Sequence, residues 1–188
     1  MHAGRRTLAH HGIVQCLKSH MSTALWNPTI EAHPFMGHRD IRVDIVTRAG
    51  LPREYAVDVA TISPWVKSHA TKILSDTGGA AATAYGFNNK MHGRYADVLK
   101  DNAFVVTPVV AEHLGSWGKP AYRLFSKLCT AISDHSGISH IVVRMRFMSS
   151  ISVCLQRAVA SLLSTNRTLS IAAPLDRYVA TPQHAAVT

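Results

Sequence analysis

Asp44 and Asp58 each stand in the middle of a short apolar segment, IRVDIV (41–46) and YAVDVATI (55–62). A lone carboxylate in such surroundings costs several kcal/mol unless it is paired or binds a cation. Thirteen residues separate the two aspartates, which leaves room for two half-strands and a turn. The alternation and the spacing predict a β-hairpin in which both carboxylates project from the same face of a sheet.

Two carboxylates that converge in this way repel each other unless a cation lies between them. Oxygen ligands suit Mg²⁺, which commonly keeps several waters while it binds a phosphate. A metal-bound water can attack phosphorus while the ion stabilises the developing charge. The pair therefore predicts a Mg²⁺ or Mn²⁺ site, with Asp44 and Asp58 as ligands, for the hydrolysis of a phosphodiester bond.

Such a site also needs a cation from the protein, and the position two residues after Asp58 is Ala60 rather than a lysine. Three downstream lysines are candidates, namely Lys67, Lys72 and Lys90. Lys90 lies in a helix-like segment, NNKMHGRY, with Arg94 four residues later on the same helical face and Tyr95 beside it. We expect Lys90 to reach the metal and Arg94 and Tyr95 to lie near the phosphate; the alternative is an ordinary solvated helix face.

Composition favours a folded, basic protein. The chain has 188 residues, 47% of them hydrophobic, which predicts a single domain over 1–170 and a poorly ordered tail over 171–188. The formal net charge of +9 is spread along the chain and indicates a polyanionic partner, most simply nucleic acid, or else a solvated basic surface. No apolar run approaches the roughly 20 residues of a membrane span. Three cysteines without a CxxC motif predict reduced thiols in an intracellular protein and no structural zinc.

Periodicity and turn residues predict the order of the elements. Helices are expected over about 5–25, 65–75, 80–100, 119–135 and 141–164, and strands over about 41–47, 55–62 and 103–111. The third strand is almost wholly apolar and is expected to be central and buried. This order predicts an α/β fold of mixed α+β type, in which a small central mixed sheet carries helices on both faces.

The order and spacing of these segments resemble a known nuclease family. The matching stretches are RRTLAHHGIVQCL, a glutamate before the first strand (Glu31), IRVDIV, YAVDVATISP, NNKMHGRY, FVVTPVVAEHLGSWG and ISVCLQRAVASLL. Together, over about 5–163, they resemble the restriction-endonuclease-like, PD-(D/E)XK-type nuclease region at the C-terminus of reverse-transcriptase polyproteins from non-LTR retrotransposons.

The resemblance implies a restriction-endonuclease-like αβββ-type core and the nicking of target DNA, in the nucleus, to prime reverse transcription. It implies that Asp44 and Asp58 bind the metal, that Lys90 is a lysine displaced into the next helix, and that Glu31 assists. The residues expected to contact DNA or RNA are Arg42, Lys67, Arg94 and Tyr95. The chain would belong to a larger reverse-transcriptase polyprotein or be an orphan of one.

Departures from the family pattern leave two other hypotheses open. Val43 replaces the usual proline, Ala60 the usual lysine, and Val159 an asparagine that is frequent in the terminal segment. One alternative is therefore a catalytically inactive remnant that still binds nucleic acid through its basic face. The other is a basic structural domain in which the two aspartates form salt bridges with Arg42 and Arg53.

Overall fold

The computed structural model describes residues 3–35, 41–48, 54–63, 78–97 and 104–171. The elements in chain order are α1 (Ala3–Thr23), β1 (Thr29–Ala32), β2 (Val43–Val46), β3 (Glu54–Ile62), α2 (Ala80–Tyr85), a π-helix that continues α2 (Gly86–Arg94), β4 (Phe104–Glu112), α3 (Lys119–Ser136) and α4 (His140–Ile171). The segment expected to form a helix over 65–75, the tail over 172–188 and the lysines Lys67 and Lys72 lie outside the described residues.

The four strands form one mixed sheet in the order β1-β2-β3-β4. β1, β2 and β3 are antiparallel neighbours, whereas β4 runs parallel to β3 along its whole length, from Glu54↔Phe104 to Ile62↔Glu112. A parallel partner requires a crossover connection, and α2 with the π-helix lies in the connection between β3 and β4. The prediction of a mixed α/β fold is confirmed.

β1 is a strand that the sequence did not predict. It spans only four residues, TIEA, with alternating exposed and half-buried positions, between Pro28 and Pro34. So short and polar a segment at the edge of a sheet has almost no hydrophobic pattern of its own. Pairing with β2, from Thr29↔Val46 to Ala32↔Val43, is what makes it a strand.

β4 is buried as expected, but it lies at the end of the described sheet rather than at its centre. Its apolar run arises because both of its faces are covered, which is the usual reason for such a run. The end position also explains Pro108, since a proline cannot donate to the ladder and is tolerated on an outer strand. Beyond β4, the chain folds back so that Gly118 N–H donates to the Val110 carbonyl at 2.9 Å.

The two faces of the sheet bury different clusters, so the prediction of helices on both faces is also confirmed. On β3, Val57 and Val59 point into the larger cluster, which α1, α3 and α4 complete. Ala56 belongs to a second cluster with Tyr95, and Ile62 to a third with residues of α2. Because side chains alternate along a strand, Asp58 shares the face of Ala56 and Ile62.

α4 is a long helix that buries one stripe against the core. Val143, Phe147, Ile151 and Leu155 recur every four residues and are all buried, as expected for one face of a helix. The helix begins near the predicted position and continues past 164, to Ile171. Within the described ranges, no helix combines the length and apolarity needed to cross a membrane.

Glu112 is a buried carboxylate at the end of β4, and its Oε1 accepts a hydrogen bond from Ala82 N–H at 3.1 Å. α2 begins after Gly79, which has no side chain to cap the helix. Glu112, on β4, therefore supplies the acceptor for an N–H of the first turn. A negative charge there also complements the helix dipole. The carboxylate joins the end of β4 to the start of the helix that carries Lys90.

We expect Glu112→Ala to lower the free energy of unfolding by about 1–3 kcal/mol, because it leaves the buried Ala82 N–H without an acceptor. Glu112→Gln keeps an amide oxygen and should lose less. Urea unfolding followed by circular dichroism measures both. Asp134→Ala, at an exposed position on α3, is the surface control, with an expected change within about 0.5 kcal/mol. Equal stability of the Glu112→Ala and Asp134→Ala variants would contradict the capping role.

Candidate active site

Asp44 and Asp58 face each other across the β2–β3 hairpin. The register pairs Ile45 with Val57 and Val46 with Ala56, and the next step places Asp44 opposite Asp58. The two carboxyl groups are close enough to share a hydrogen bond. The structure thus brings together the two acids that the sequence spacing singles out.

The Asp44 carboxylate is held by two donors. Its Oδ2 accepts a hydrogen bond from Val59 N–H at 2.6 Å and lies 3.0 Å from Nε2 of His10 on α1. Partial burial by itself would raise the pKa of Asp44, but the bonds from His10 and Val59 outweigh it and hold the pKa below its ordinary value. Asp44 is therefore ionised and fixed in orientation.

Asp58 is more deeply buried, with only 4% of the residue exposed, and its Oδ2 lies 2.5 Å from Nζ of Lys90. At this separation the Lys90 ammonium and the Asp58 carboxylate form a charge-assisted contact. Burial raises the pKa of Asp58; Lys90 opposes the rise and Asp44 adds to it. The structure places Lys90 at Asp58, whereas the other two candidate lysines, Lys67 and Lys72, lie outside the described residues.

The π-helix explains how Lys90 arrives there. Tyr95 N–H donates to the Lys90 carbonyl at 2.9 Å, a bond across five residues that makes residues five apart share a face. Lys90 and Tyr95 therefore both point at the sheet. Gly86 allows the close approach, because a Cβ there would lie 3.2 Å from the Pro108 side chain. In a regular α-helix, Lys90 and Tyr95 would lie on different sides.

Tyr95 lies behind the acids instead of on the surface. It is fully buried, contacts the ring of Phe35, and its hydroxyl hydrogen-bonds with Asp58 and lies 3.5 Å from the Arg42 carbonyl oxygen. Burial, followed by the nearby Asp58 charge, raises its pKa. Such burial leaves no surface for nucleic acid, so the expectation that Tyr95 contacts nucleic acid is corrected to a role in supporting Asp58.

His10 is a site residue that the sequence did not single out. The signal was available, because His10 lies four and seven residues before Val14 and Leu17, the buried face of α1. The hydrogen bond to Asp44 raises the pKa of His10, although partial burial acts in the opposite direction. His10 lies in the amino-terminal half of α1, so the two central acids, Asp44 and Asp58, each have a basic side chain on the outer side, His10 and Lys90.

Glu31 lies next to the site without joining it. It stands between Ile30 and Ala32, which pair with Ile45 and Val43, so the register places it opposite Asp44. Its φ of 55° is in the left-handed region, which interrupts the pairing. The exposed side chain instead forms an ion pair with Arg42, with 2.7 Å between Oε1 and Nη2. The structure gives no contact that would let Glu31 assist the two aspartates.

The predicted basic contacts are placed as follows. Arg42 is half exposed and Arg94 donates from Nη2 to the Arg42 carbonyl oxygen at 3.1 Å, so the two guanidinium groups mark one side of the acids. Lys67 is outside the described residues. The hypothesis that Arg42 neutralises one of the aspartates is wrong, because Arg42 pairs with Glu31; Arg53 also lies outside the described residues.

The donor set suits one hard cation that completes its coordination with water and phosphate. No group of three or more histidine, cysteine, aspartate or glutamate side chains in the described part of the chain converges as a metal-binding cluster. The carboxylates of Asp44 and Asp58 nevertheless face each other across the β2–β3 hairpin, and Asp44 remains partly exposed to solvent. Mg²⁺ is often held by one or two carboxylates together with substrate phosphate.

The His10–Asp44 pair makes stability depend on pH. The raised pKa of His10 means that its contribution is present below about pH 6.5 and disappears as the pH rises through the folded value. The lowered pKa of Asp44 means that its contribution is present above pH 3.8 and disappears as the pH falls through the lower folded value. The pair therefore stabilises most between these limits.

We expect His10→Gln to lower the free energy of unfolding most near about pH 5 and least near about pH 8. The effect should stay below about 1 kcal/mol, because a third of the His10 side chain is exposed. Urea titrations at the two pH values measure it, and His11→Gln, on the exposed side of α1, is the control. A loss independent of pH would show that the ion pair does not form.

Comparison of the chain with known proteins gives no match to a family model and no match to a curated protein. What supports a function is therefore the site itself: two carboxylates that face each other, the partly buried lysine on Asp58 and the histidine on Asp44.

Proposed function

We propose that the protein is a divalent-metal-dependent DNA endonuclease of the PD-(D/E)XK type, which nicks DNA by hydrolysing a phosphodiester bond. The observation that carries the proposal is that Asp44 and Asp58 face each other on adjacent strands, with a partly buried Lys90 paired with Asp58. Two acids and one lysine are the groups that metal-assisted phosphodiester hydrolysis uses.

The connectivity supports the same proposal. α1 precedes three antiparallel strands, a helical crossover follows, and β4 then returns parallel to β3. This order is compatible with the αβββ-type restriction-endonuclease-like core that we propose, with one acid on β2 and the other on β3. The lysine of the usual motif would occupy position 60 on β3; here the crossover helix supplies it.

In this proposal, Asp44 and Asp58 would hold Mg²⁺ or Mn²⁺, and such an ion would supply an acidified water and positive charge next to the phosphate. The Lys90 ammonium presents a positive charge to the phosphate beside Asp58. His10 and the Val59 N–H keep Asp44 ionised and oriented. Arg42 and Arg94, at the side of the acids, contact the DNA backbone.

The basic character of the chain fits a nucleic-acid partner. A formal net charge of +9 attracts phosphates over the whole surface and makes binding salt-dependent. The proposed setting is the nucleus, where a nick would supply the end that primes reverse transcription, with the chain acting as part of a reverse-transcriptase polyprotein or as an orphan of one.

A second candidate is a catalytically inactive module that only binds nucleic acid. One observation favours it: both carboxylates already have a protein cation as partner, His10 on Asp44 and Lys90 on Asp58. A network that is balanced without a metal can persist after catalysis has been lost. The overall charge would still bind phosphates in that case.

Incubation of the protein with supercoiled plasmid distinguishes the two candidates. The endonuclease should convert the plasmid to open circles with Mg²⁺ or Mn²⁺ and should stop when EDTA is added. DNA binding that weakens with salt, without any open circles, would reject the endonuclease and support the binding module. The absence of both binding and cleavage would reject both candidates.

A further inference from the structure

A cavity of about 450 Å³, partly open to solvent, lies between the start of α2 and the start of α3. One wall includes Thr83, Phe87 and Asn88 from α2 and the π-helix. The other includes Trp117, from the loop after β4, and Lys119 and Tyr122 from α3. This volume is within the range of sites that hold a small organic group. None of the residues assigned to the candidate active site lines it.

Two aromatic side chains at the cavity are held open to solvent. Phe87 is 57% exposed and Tyr122 is 43% exposed, although aromatic rings normally bury most of their surface. Each ring contacts another aromatic ring of the protein. The centroids of Phe87 and His92 are 4.2 Å apart, and those of Tyr122 and Phe125, in an edge-to-face arrangement, are 6.3 Å apart. Ordered, exposed rings of this kind offer flat faces on which another planar group can stack.

The polar groups of the lining include the Lys119 ammonium, the Asn88 amide and the hydroxyls of Thr83 and Tyr122. Lys119 has no acidic partner among the described residues, and the Asn88 side chain has no hydrogen-bond partner there. The described lining contains no carboxylate. Lys119 also stands at the first turn of the 18-residue helix α3, where the helix dipole adds positive potential. The lining therefore suits a planar, hydrogen-bonding group attached to an anion.

We propose that this cavity binds an unpaired nucleobase of single-stranded nucleic acid, with the base against Phe87 and Tyr122 and a neighbouring phosphate on Lys119. Stacking on aromatic rings beside a basic side chain is how proteins hold single strands without a sequence preference. The inference rests on the proposed function, because it places the bound base beside the bond that is cut. It adds to the proposed function the form of the substrate, a strand that is unpaired next to the scissile bond.

The position of the cavity supports this assignment. Phe87 and Asn88 precede Lys90 by three and two residues on one helix, and a rise of about 1.5 Å per residue makes the axial separation only a few ångströms. The side chains of Phe87 and Lys90 leave the helix in different directions, so a strand bound at both positions would bend around the helix. A base in a continuous duplex is stacked and paired, so it is not available to the two rings.

The test uses the full chain carrying Asp58→Asn, so that binding is measured without cleavage, and a fluorescein-labelled thymidine oligonucleotide as the probe. The double variant Phe87→Ala/Tyr122→Ala should raise the Kd for this single strand about tenfold or more, since one base stack is worth about 1–3 kcal/mol. The Kd for a duplex of the same length should change less than about twofold. Lys119→Met should weaken single-strand binding and lower the magnitude of the salt slope by about 1.

Ile141→Ala/Met145→Ala, which removes exposed apolar surface from α4, is the matched control and should leave both Kd values unchanged. Phe87→Trp/Tyr122→Phe, which keeps two rings, should retain single-strand binding. Equal losses for single strand and duplex, or no loss for either, would overturn the nucleobase proposal. Nicking is measured separately with plasmid. If the parent chain never nicks plasmid but the double variant loses single-strand binding, the cavity assignment stands and the endonuclease proposal is rejected.

Photocrosslinking gives an independent result. A halogenated uracil in the same oligonucleotide should form an adduct with a peptide that contains Phe87 or Tyr122, identified by mass spectrometry. Adducts confined to peptides of α4, or to the β1–β2 region near Arg42, would place the bases elsewhere and overturn the proposal.

Discussion

Asp58→Asn is expected to lower the rate of plasmid nicking by at least about 10²-fold, as the loss of one key electrostatic group does in other active sites. Asparagine keeps the shape of the side chain and removes the charge that a divalent cation needs from the strand opposite Asp44. DNA binding should persist or become tighter, because a negative charge is lost from a basic protein. Initial rates of open-circle formation measure the effect.

Asp134→Asn, an exposed change on α3, removes the same charge away from the site and should leave the rate within about twofold. Circular dichroism and DNA binding show whether the Asp58→Asn chain is folded. A folded variant that nicks at the rate of the parent chain would mean that Asp58 is not a metal ligand, and the endonuclease proposal would fail.

Lys90→Met is expected to lower the nicking rate by about 10²-fold and to move its pH dependence. The ammonium is what opposes the effect of burial on Asp58, so its removal raises the pKa of Asp58 further. A higher pKa means that Asp58 stays protonated to a higher pH, and the acid limb of the pH–rate profile should shift upward. Nicking rates between about pH 5 and pH 9 measure both effects.

Arg146→Met, an exposed change on α4, matches the loss of one positive charge and should shift neither the rate nor the profile. Adding Ala60→Lys to Lys90→Met provides a sharper test, because position 60 lies on the same face of β3 as Asp58. Partial recovery of nicking would show that a cation is needed there whichever element supplies it. An unchanged pH profile in Lys90→Met would contradict the contact with Asp58.

The pairing of the two aspartates was predictable because it follows from local rules. Alternation fixes the face of each side chain and the spacing fixes the turn, so IRVDIV and YAVDVATI contain enough information to place Asp44 opposite Asp58. The apolar run of β4 was equally clear. Its place at the end of the sheet was not, because burial by helices on both faces gives the same pattern as burial between strands.

The features that the sequence did not reveal depend on tertiary contacts. β1 is a strand because it pairs with β2. The register of that pairing would place the Glu31 side chain near Asp44, but the left-handed φ of Glu31 directs it elsewhere. His10 reaches Asp44 through the packing of α1 on the sheet. The π-helix has no propensity signature; Gly86 and Gly93 mark a segment in which an α-helix is weak, but they do not specify a π-helix.

The acids and the lysine come from separate stretches of chain, since the hairpin ends at Ile62 and the helix that holds Lys90 begins at Ala80. Residues can therefore be gained or lost between them over evolutionary time while the three charged groups keep their places. Distant relatives would then share the hairpin and the helix but not the interval that separates them. A motif of fixed length from acid to lysine would miss them, whereas one that allows a variable gap would find them.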